Sequence, residues 1–413
     1  MPTTVDNANA ANLSPFEAKA REVLSRVRAA LAEVIASLVG HHDVRAADLV
    51  QSIGVDSRLA WKFVKVLEPR DPLRAMKYVP GERGIRLFLR AAARGKAPRP
   101  AVDEARRAFA DLQAFMQSEA GSRKLFDMIV NGHTRAADID VGLEQRKTAY
   151  EANSYIWGVQ ARMQVHTYLI QPSGDGETID AAVIRGFVDL RRVRPQVPWR
   201  ISRFYTIDDA GEVRGEFPRE PIDPGAAQLD VPLVTGFCSQ PLPTVRRCVG
   251  PFGIIDNVLA ESGVSKAQSV TCLTGEVIRR AEPCYPDERH GGLGTKAPLR
   301  TPAKLVVMDV FLNRELFGEI SPGLRLASDM FTENLGTHYT EADLLPIAAR
   351  VERLSCRPDV PPIREMGRYR ELISYCCERL GWKTADFDCY RVRLAFPPVP
   401  AALLVDVPLP TRT

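Results

Sequence analysis

The chain has 413 residues, a formal net charge of +4, and a composition of 45% hydrophobic and 26% charged residues. This is the composition of an ordinary globular protein, and the length predicts at least two domains. No run approaches the 18 consecutive apolar residues of a transmembrane helix, and the N-terminus lacks the basic and apolar regions of a secretory signal. We therefore expect a cytoplasmic protein that does not contact a membrane.

The first predicted element is a helix that begins at Ser14. The hydroxyl of Ser14, the proline at position 15 and the carboxylate of Glu17 are typical of a capping box, and residues 1–13 before it are predicted to be a disordered tail. Apolar residues then recur at helical spacing from Phe16 to Leu38, and Gly40 ends the run. This stripe could pack inside the chain, which is the favoured use, or pair with a second copy of the chain.

The next stretch, AADLVQSIGVDSRLAWKFVKVL at residues 46–67, predicts two short helices joined by a tight turn. Gly54 supplies a residue that tolerates positive φ in the turn, and Asp56 can cap the second helix. Six apolar side chains are expected to face inward and lock the helices together: Leu49, Val50, Ile53, Val55, Ala60 and Phe63. Five side chains of the second helix are left on its outer face: Ser57, Arg58, Trp61, Lys62 and Lys65.

This pair resembles the helix-turn-helix of bacterial transcription regulators over residues 43–67. The resemblance implies that Ala46–Ile53 is the supporting helix and that Ser57–Leu67 is the recognition helix, whose five outward side chains would contact DNA. Arg58, near the helix N-terminus, would contact base edges, while Lys62 and Lys65 would contact phosphates. Two other interpretations stay open, a protein-interaction module without DNA binding and a purely structural helix pair.

The distribution of charge favours the first interpretation. Residues 41–100 contain thirteen Lys and Arg against six Asp and Glu, a balance of +7, which leaves −3 for the rest of the chain. A basic segment on a nearly neutral chain is typical of a nucleic-acid contact, and its alternative is a solvated basic face. A further short helix over residues 84–96 would add Arg86, Arg90 and Arg94 on one face.

Helical spacing continues over residues 101–118, 122–130 and 143–157, and the pattern then changes to that of strands. In RMQVHTYLI, residues 162–170, apolar side chains alternate with Arg162, Gln164, His166 and Tyr168. Six other stretches that predict strands are AAVIRGFVDL, WRISRFYTI, PLVTGFC, SVTCLTGEVIRR, AKLVVMDVFL and YRVRLAF, followed by ALLVDVPL near the end. One helix among them has Met366, Tyr369 and Ile373 on a single side.

These elements predict an α+β fold, with an α-helical N-terminal region that contains the helix-turn-helix and a mainly antiparallel β-rich domain with added helices. The predicted divisions are a helix-turn-helix domain at 14–97, a helical connector at 98–158 and the β-rich domain at 159–413.

Three groups in the β-rich domain could carry chemistry. CYPDERHGGLGTK, residues 284–296, offers metal-ligand types, but it lacks paired zinc-ligand spacing and the phosphate-loop pattern, so a flexible surface loop is favoured. His166 could be a general base beside Asp189, and a hydrogen-bonded structural histidine is favoured over it. Cys376 and Cys377 are expected in the core, and all eight cysteines lie at or beyond residue 238 without a Cys-x-x-Cys pair.

The sequence therefore favours a DNA-binding protein, a transcriptional regulator that binds as a homodimer through the stripe from Phe16 to Leu38. The β-rich domain would sense a small-molecule ligand or mediate assembly, by analogy of architecture. No catalytic residue, cofactor or metal site is assigned. The alternatives are an enzyme with its active site in the β-rich domain and a protein-interaction module.

Overall fold

The computed structural model describes most of the chain and divides it into two compact units, Met1–Asp138 and Ile139–Thr413. The described residues are 14–40, 44–133, 142–194, 198–204, 206–207, 213–214, 219–250, 254–260, 269–287, 291–330, 339–347 and 349–412. The tail predicted at residues 1–13 lies outside them. Among the helices described, none has both the length and the hydropathy to span a bilayer.

The first unit, called the helical unit below, contains seven described helices. They are α1 (Pro15–Val39), α2 (Ala46–Ile53), α3 (Ser57–Leu67), α4 (Pro72–Ala75), α5 (Glu82–Arg94), α6 (Arg99–Ala120) and α7 (Arg123–His133), with a 3-10 turn at Met76–Tyr78. Helix α1 begins where the sequence predicts, because the Glu17 N–H donates to the Ser14 hydroxyl at 3.2 Å. The Glu17 carboxylate, however, accepts from Arg21, so only half of the predicted capping box forms.

The apolar stripe of α1 lies in the core of the helical unit. Leu24, Val27 and Leu31 have no exposed surface, and the same core contains Val102 and Phe109 of α6. The stripe is therefore covered by its own chain, and its prediction as a dimer surface is wrong. The physical reason is that α6, which the sequence placed in a separate connector, supplies the apolar partner.

The predicted connector at residues 98–158 is divided between the two units. Helices α6 and α7 belong to the helical unit, where Arg26 of α1 lies 3.0 Å from Glu104 and 2.6 Å from Asp111 of α6. Helix α8 (Leu143–Trp157) belongs to the second unit, where the Tyr150 hydroxyl accepts from the Gln160 amide nitrogen at 2.5 Å.

The described residues of the second unit, called the β-rich unit below, form three larger sheets and one further pair of strands. Its strands are β1 (Val159–Gln160), β2 (Met163–Pro172), β3 (Thr178–Arg192), β4 (Trp199–Phe204), β5 (Thr206–Ile207), β6 (Val213–Arg214), β7 (Glu220–Pro221), β8 (Val245–Val249), β9 (Ile255–Leu259), β10 (Val270–Pro283), β11 (Gly292–Leu299), β12 (Leu305–Asn313), β13 (Gly323–Ser328), β14 (Leu344–Leu345), β15 (Glu352–Ser355), β16 (Phe387–Ala395) and β17 (Ala401–Pro408). Besides α8, the described helices are α9 (Arg314–Phe317) and α10 (Tyr369–Leu380), and 3-10 turns lie at Pro224–Ala226, Thr235–Phe237, Glu341–Asp343 and Thr384–Asp386.

The main sheet has the strand order β15-β16-β12-β2-β3-β10-β7, with β1 paired to β3. The second sheet has the order β11-β17-β13-β14, the third has the order β4-β9-β8, and β5 pairs with β6. Strands β12 and β2 are parallel, and the other described strand pairs are antiparallel. The predicted α+β class with a mainly antiparallel β region and added helices is confirmed.

The main sheet is covered on both faces. Val165, Val307 and Phe311 pack in one core with Ile373 and Cys376 of α10. On the other face, Met308 and Val310 of β12 pack in another core with Leu403 and Val405 of β17. The predicted polar side of β2 belongs to this second face, because Gln164, His166 and Tyr168 pair in register with Val306, Met308 and Val310.

Two local predictions in the β-rich unit are wrong. Residues 232–238 form a 3-10 turn and one isolated bridge between Leu233 and Thr274 instead of a strand. Residues 292–296, predicted as part of a flexible loop, lie in β11 and pair with β17. Two glycines and one proline among the eight residues of β11 made the strand hard to predict, because it is stabilised by pairing with the apolar β17 at the C-terminal end of the chain. The Asp-Asp-Ala-Gly stretch at residues 208–211, whose composition predicts a hairpin turn, lies outside the described residues.

Candidate functional site

Helices α2 and α3 have the turn geometry that the sequence predicts. Gly54 has φ 65° and ψ 29°, in the left-handed region, and its N–H donates to the Val50 carbonyl at 2.9 Å. The Asp56 carboxylate accepts from the N–H groups of Arg58 at 3.0 Å and Leu59 at 3.2 Å. The start of α3 is thereby fixed by a side-chain cap, and Arg58, the first basic residue of the outward face, lies in the capped turn.

The inner side of the pair is held by apolar contacts. Leu49, Ala60 and Phe63 have no exposed surface and Val55 is nearly buried, as predicted, while Val50 and Ile53 are half-buried. The Phe63 ring stacks on Phe88 of α5 with 4.1 Å between centroids. Helix α3 is therefore supported from behind by two other helices, α2 and α5.

The five predicted DNA-contacting residues divide into two groups. Ser57, Arg58 and Lys62 are exposed, and neither Arg58 nor Lys62 has an acidic partner within the described part of the chain. Trp61 is 47% exposed, but its ring lies edge-on to Tyr78 at 5.8 Å. Lys65 lies 2.5 Å from the Glu68 carboxylate and is half-buried. Arg58 and Lys62 are thus the side chains best placed to contact a phosphate or a base, while Trp61 and Lys65 have partners inside the chain.

The β-rich unit contains a cavity of about 840 Å³ that the sequence did not predict. The polar side of β2 forms one wall of it through Gln164, His166 and Tyr168, and Arg185 of β3 lies beside His166 in register. Other walls come from β4 and β11. The alternation along β2 was visible in the sequence, but the second sheet that turns its polar side into a cavity wall was not.

His166 is a neutral side chain in this wall. Burial, together with the charge of Arg185, lowers the pKa of His166 to about 3. The Gln164 amide nitrogen donates to the Pro298 carbonyl at 2.7 Å and lies 2.7 Å from His166 Nε2. Because the amide nitrogen is a donor, Nε2 must accept, and the imidazole proton is on Nδ1.

The pairing of His166 with Asp189, considered as a general-base arrangement, is not formed. The Asp189 carboxylate accepts from Arg162 Nε at 2.5 Å instead. His166 therefore matches the alternative that the sequence favoured, a hydrogen-bonded histidine within the sheet.

The remaining candidate groups are structural in the described residues. Cys376 and Cys377 are buried in the core on α10, and burial raises the pKa of Cys377 to about 12. Cys284 is buried and donates to the Thr178 carbonyl at 3.1 Å, while Glu288 and His290 lie outside the described residues. Within the part of the chain that the structure describes, no group of three or more His, Cys, Asp or Glu is arranged to hold a metal ion.

No protein-family model, no curated protein and no solved structure matches the chain.

Proposed function

We propose that the protein binds DNA and acts as a transcriptional regulator, with α3 as its recognition helix. The observation that carries the proposal is the placement of Arg58 and Lys62 on the exposed face of a helix whose start is fixed by Gly54 and Asp56. A major groove of B-DNA admits an α-helix, and side chains near the start of that helix reach the base edges.

Charge around α3 supports the same proposal. The exposed Arg86 and Arg90 lie on α5, and an added Cβ at Gly84 of α5 would meet Leu59 of α3 at 3.1 Å. The first turns of α5 and α3 are therefore neighbours, and both helices have exposed basic side chains in this part of the helical unit. Lys and Arg on such a surface neutralise phosphates and release counterions, which supplies affinity without sequence preference.

The test compares two variants on a duplex selected from a random library by the wild-type protein. Arg58→Ala should weaken binding to the selected duplex by about 1–3 kcal/mol and leave binding to unrelated duplexes nearly unchanged. Lys62→Ala should weaken binding to all duplexes alike and reduce the slope of log affinity against log salt by about one. Lys124→Ala, at an exposed lysine of α7 in the same unit, is the control and should bind as the wild type does. Equal losses on every duplex for both variants would contradict the base-reading role of Arg58.

A homodimer stays part of the proposal, because one recognition helix reads few base pairs and a two-fold pair doubles the contact. Its surface must lie outside the α1 stripe, which is buried within the chain. Sedimentation of the protein with the selected duplex should show two chains per duplex, and one chain per duplex at saturation would contradict the dimer.

A further inference from the structure

The cavity of the β-rich unit is lined by basic side chains from several strands and connections. Six of them are Arg185, Arg200, Arg203, Arg219, Lys296 and Arg300. Among the described residues that line the cavity, the acidic side chain is Glu282. These positions are spread over more than 100 residues of sequence, so the fold has concentrated positive charge in one place.

The six cations are arranged as three pairs, each of which shares one carboxylate outside the lining. Glu276 lies 3.0 Å from Arg185 and 3.3 Å from Arg219. Asp256 lies 2.9 Å from Arg200 and 2.7 Å from Arg203. Asp329 lies 3.8 Å from Lys296 and 3.2 Å from Arg300. The shared carboxylates hold the side chains in position for a ligand.

Two of these cations, Arg219 and Lys296, lie in partly desolvated places that disfavour their charged forms. Burial and the neighbouring Arg185 lower the pKa of Arg219. Burial and the neighbouring Arg300 likewise lower the pKa of Lys296. A bound anion would relieve both effects, because it supplies the opposite charge in a partly desolvated place.

The same cavity has planar apolar walls. Trp157 and Trp199 line it, with 6.5 Å between ring centroids and 62° between ring planes. The Trp199 indole is fixed by its N–H, which donates to the Thr301 hydroxyl at 2.9 Å. Such rings provide stacking surfaces for a planar heterocycle.

Two buried polar atoms in the wall lack a hydrogen-bond partner among the described residues. They are Gln164 Oε1 and His166 Nδ1, on side chains that are 3% and 5% exposed. The first is an acceptor, and the second carries the imidazole proton and is a donor. Leaving such atoms unpaired in a buried place costs about 1–3 kcal/mol each, so a ligand edge with one donor and one acceptor would stabilise the wall.

We propose that this cavity binds a nucleotide, with its phosphates at the three cation pairs, its base against the tryptophans, and the edge of the base at Gln164 and His166. The volume of about 840 Å³ lies in the usual range for small-molecule sites. The proposal rests on residues of the β-rich unit and does not depend on DNA binding by α3.

The test is isothermal titration calorimetry of the full chain with ATP, GTP, CTP and UTP in turn, beside inorganic triphosphate and the four uncharged nucleosides. At least one triphosphate should bind one-to-one with a Kd below about 0.1 mM, and the matching nucleoside and inorganic triphosphate should each bind at least about tenfold more weakly. The proposal is overturned if none of the four nucleotides binds below about 1 mM, or if inorganic triphosphate binds as tightly as the best nucleotide.

Variants place the binding in this cavity. Arg219→Gln and Arg200→Gln should each raise the Kd at least about tenfold, and Arg350→Gln, at an exposed arginine of the same unit that does not line the cavity, should leave it unchanged. Arg200→Gln is the second variant because the Arg200 side chain is 45% exposed, so its replacement leaves the core intact. Equal affinity of the two cavity variants and the control would show that the nucleotide binds elsewhere and would overturn the proposal.

Discussion

A single buried ion pair, Asp309 with Arg391, joins the centre of the main sheet to the segment before α10. Asp309 has no exposed surface, and Arg391 donates to both of its oxygens at 2.8 and 2.7 Å. The Tyr369 hydroxyl donates to the same carboxylate at 2.6 Å, and Arg391 also donates to the Pro361 and Pro362 carbonyls. These contacts satisfy the carboxylate from three sides, so its role is structural.

Asp309→Asn should destabilise the β-rich unit by about 3–5 kcal/mol, because it leaves the Arg391 charge buried without a counter-charge. Urea unfolding followed by tryptophan fluorescence measures the loss. The matched control is Asp359→Asn, whose carboxylate lies 3.8 Å from Arg370 with both side chains at least half exposed, and which should change stability by less than about 1 kcal/mol. Equal effects of the two variants would show that the buried pair contributes no more than a surface pair.

His166 predicts a pH dependence of stability. Its folded-state pKa of about 3 lies below the ordinary value of 6.5, so the unfolded chain binds the proton more readily. The stability that the neutral imidazole contributes is therefore present above pH 6.5 and is lost as the pH falls towards 3, at up to about 1.4 kcal/mol per pH unit. His166→Gln should lose less stability than the wild type between pH 6.5 and 4 in urea unfolding. Parallel curves for the two proteins would contradict the assignment.

At the scale of elements, the cap of α3 links folding to the proposed function. Asp56→Ala should cost about 0.5–2 kcal/mol in stability and should also weaken DNA binding, because the first turn of α3 presents Arg58. Ser122→Ala is a matched control in the same unit, since the Ser122 hydroxyl accepts from the Leu125 N–H at 3.2 Å at the start of α7. A comparable loss of DNA affinity in both variants would mean that stability, and not the position of α3, determines binding.

The α1 stripe gives a prediction that separates packing from assembly. Leu31→Ala should destabilise the helical unit by about 2–5 kcal/mol, because Leu31 has no exposed surface within the chain. Its oligomeric state under native conditions should stay that of the wild type in sedimentation. Leu87→Ala, at a leucine of α5 that is 47% exposed, is the control and should change neither quantity. Dissociation of an assembly by Leu31→Ala would restore the stripe as a subunit contact.

Elements whose signals are local were predictable from the sequence. Ser14 and Gly40 lie at the two ends of α1, and Gly54 and Asp56 lie in the turn between α2 and α3. These features could be predicted because caps and left-handed turns depend on one or two side chains. Strand β11 was not predictable in the same way, since its partner β17 follows about 100 residues later.

The cavity was missed for the same reason. Arg219 and Glu276 lie 57 residues apart in sequence, and Lys296 and Asp329 meet only after the second sheet has formed. The polar alternation of Gln164, His166 and Tyr168 was the signal present in the sequence. It indicates a strand with a polar side, but it does not show whether that side faces solvent or a ligand.

In the whole molecule, folding brings positively charged side chains together in particular places, although the net charge of the chain is small. The formal net charge is only +4, yet six cations line the cavity of the β-rich unit and Arg58 and Lys62 lie exposed on α3 of the helical unit. Each unit thus has its own basic surface, and each surface has its own proposed anion, DNA for α3 and a nucleotide for the cavity.

The most direct test of the DNA-binding proposal is fluorescence anisotropy of a labelled mixed-sequence duplex, titrated with the full chain at several salt concentrations. We expect binding at low salt that weakens steeply and linearly in log affinity against log salt, as phosphate neutralisation requires. Lys62→Ala should reduce that slope by about one. Failure to bind the duplex even at low salt would contradict the proposal, and α2 and α3 would then be a structural pair or a protein-interaction module.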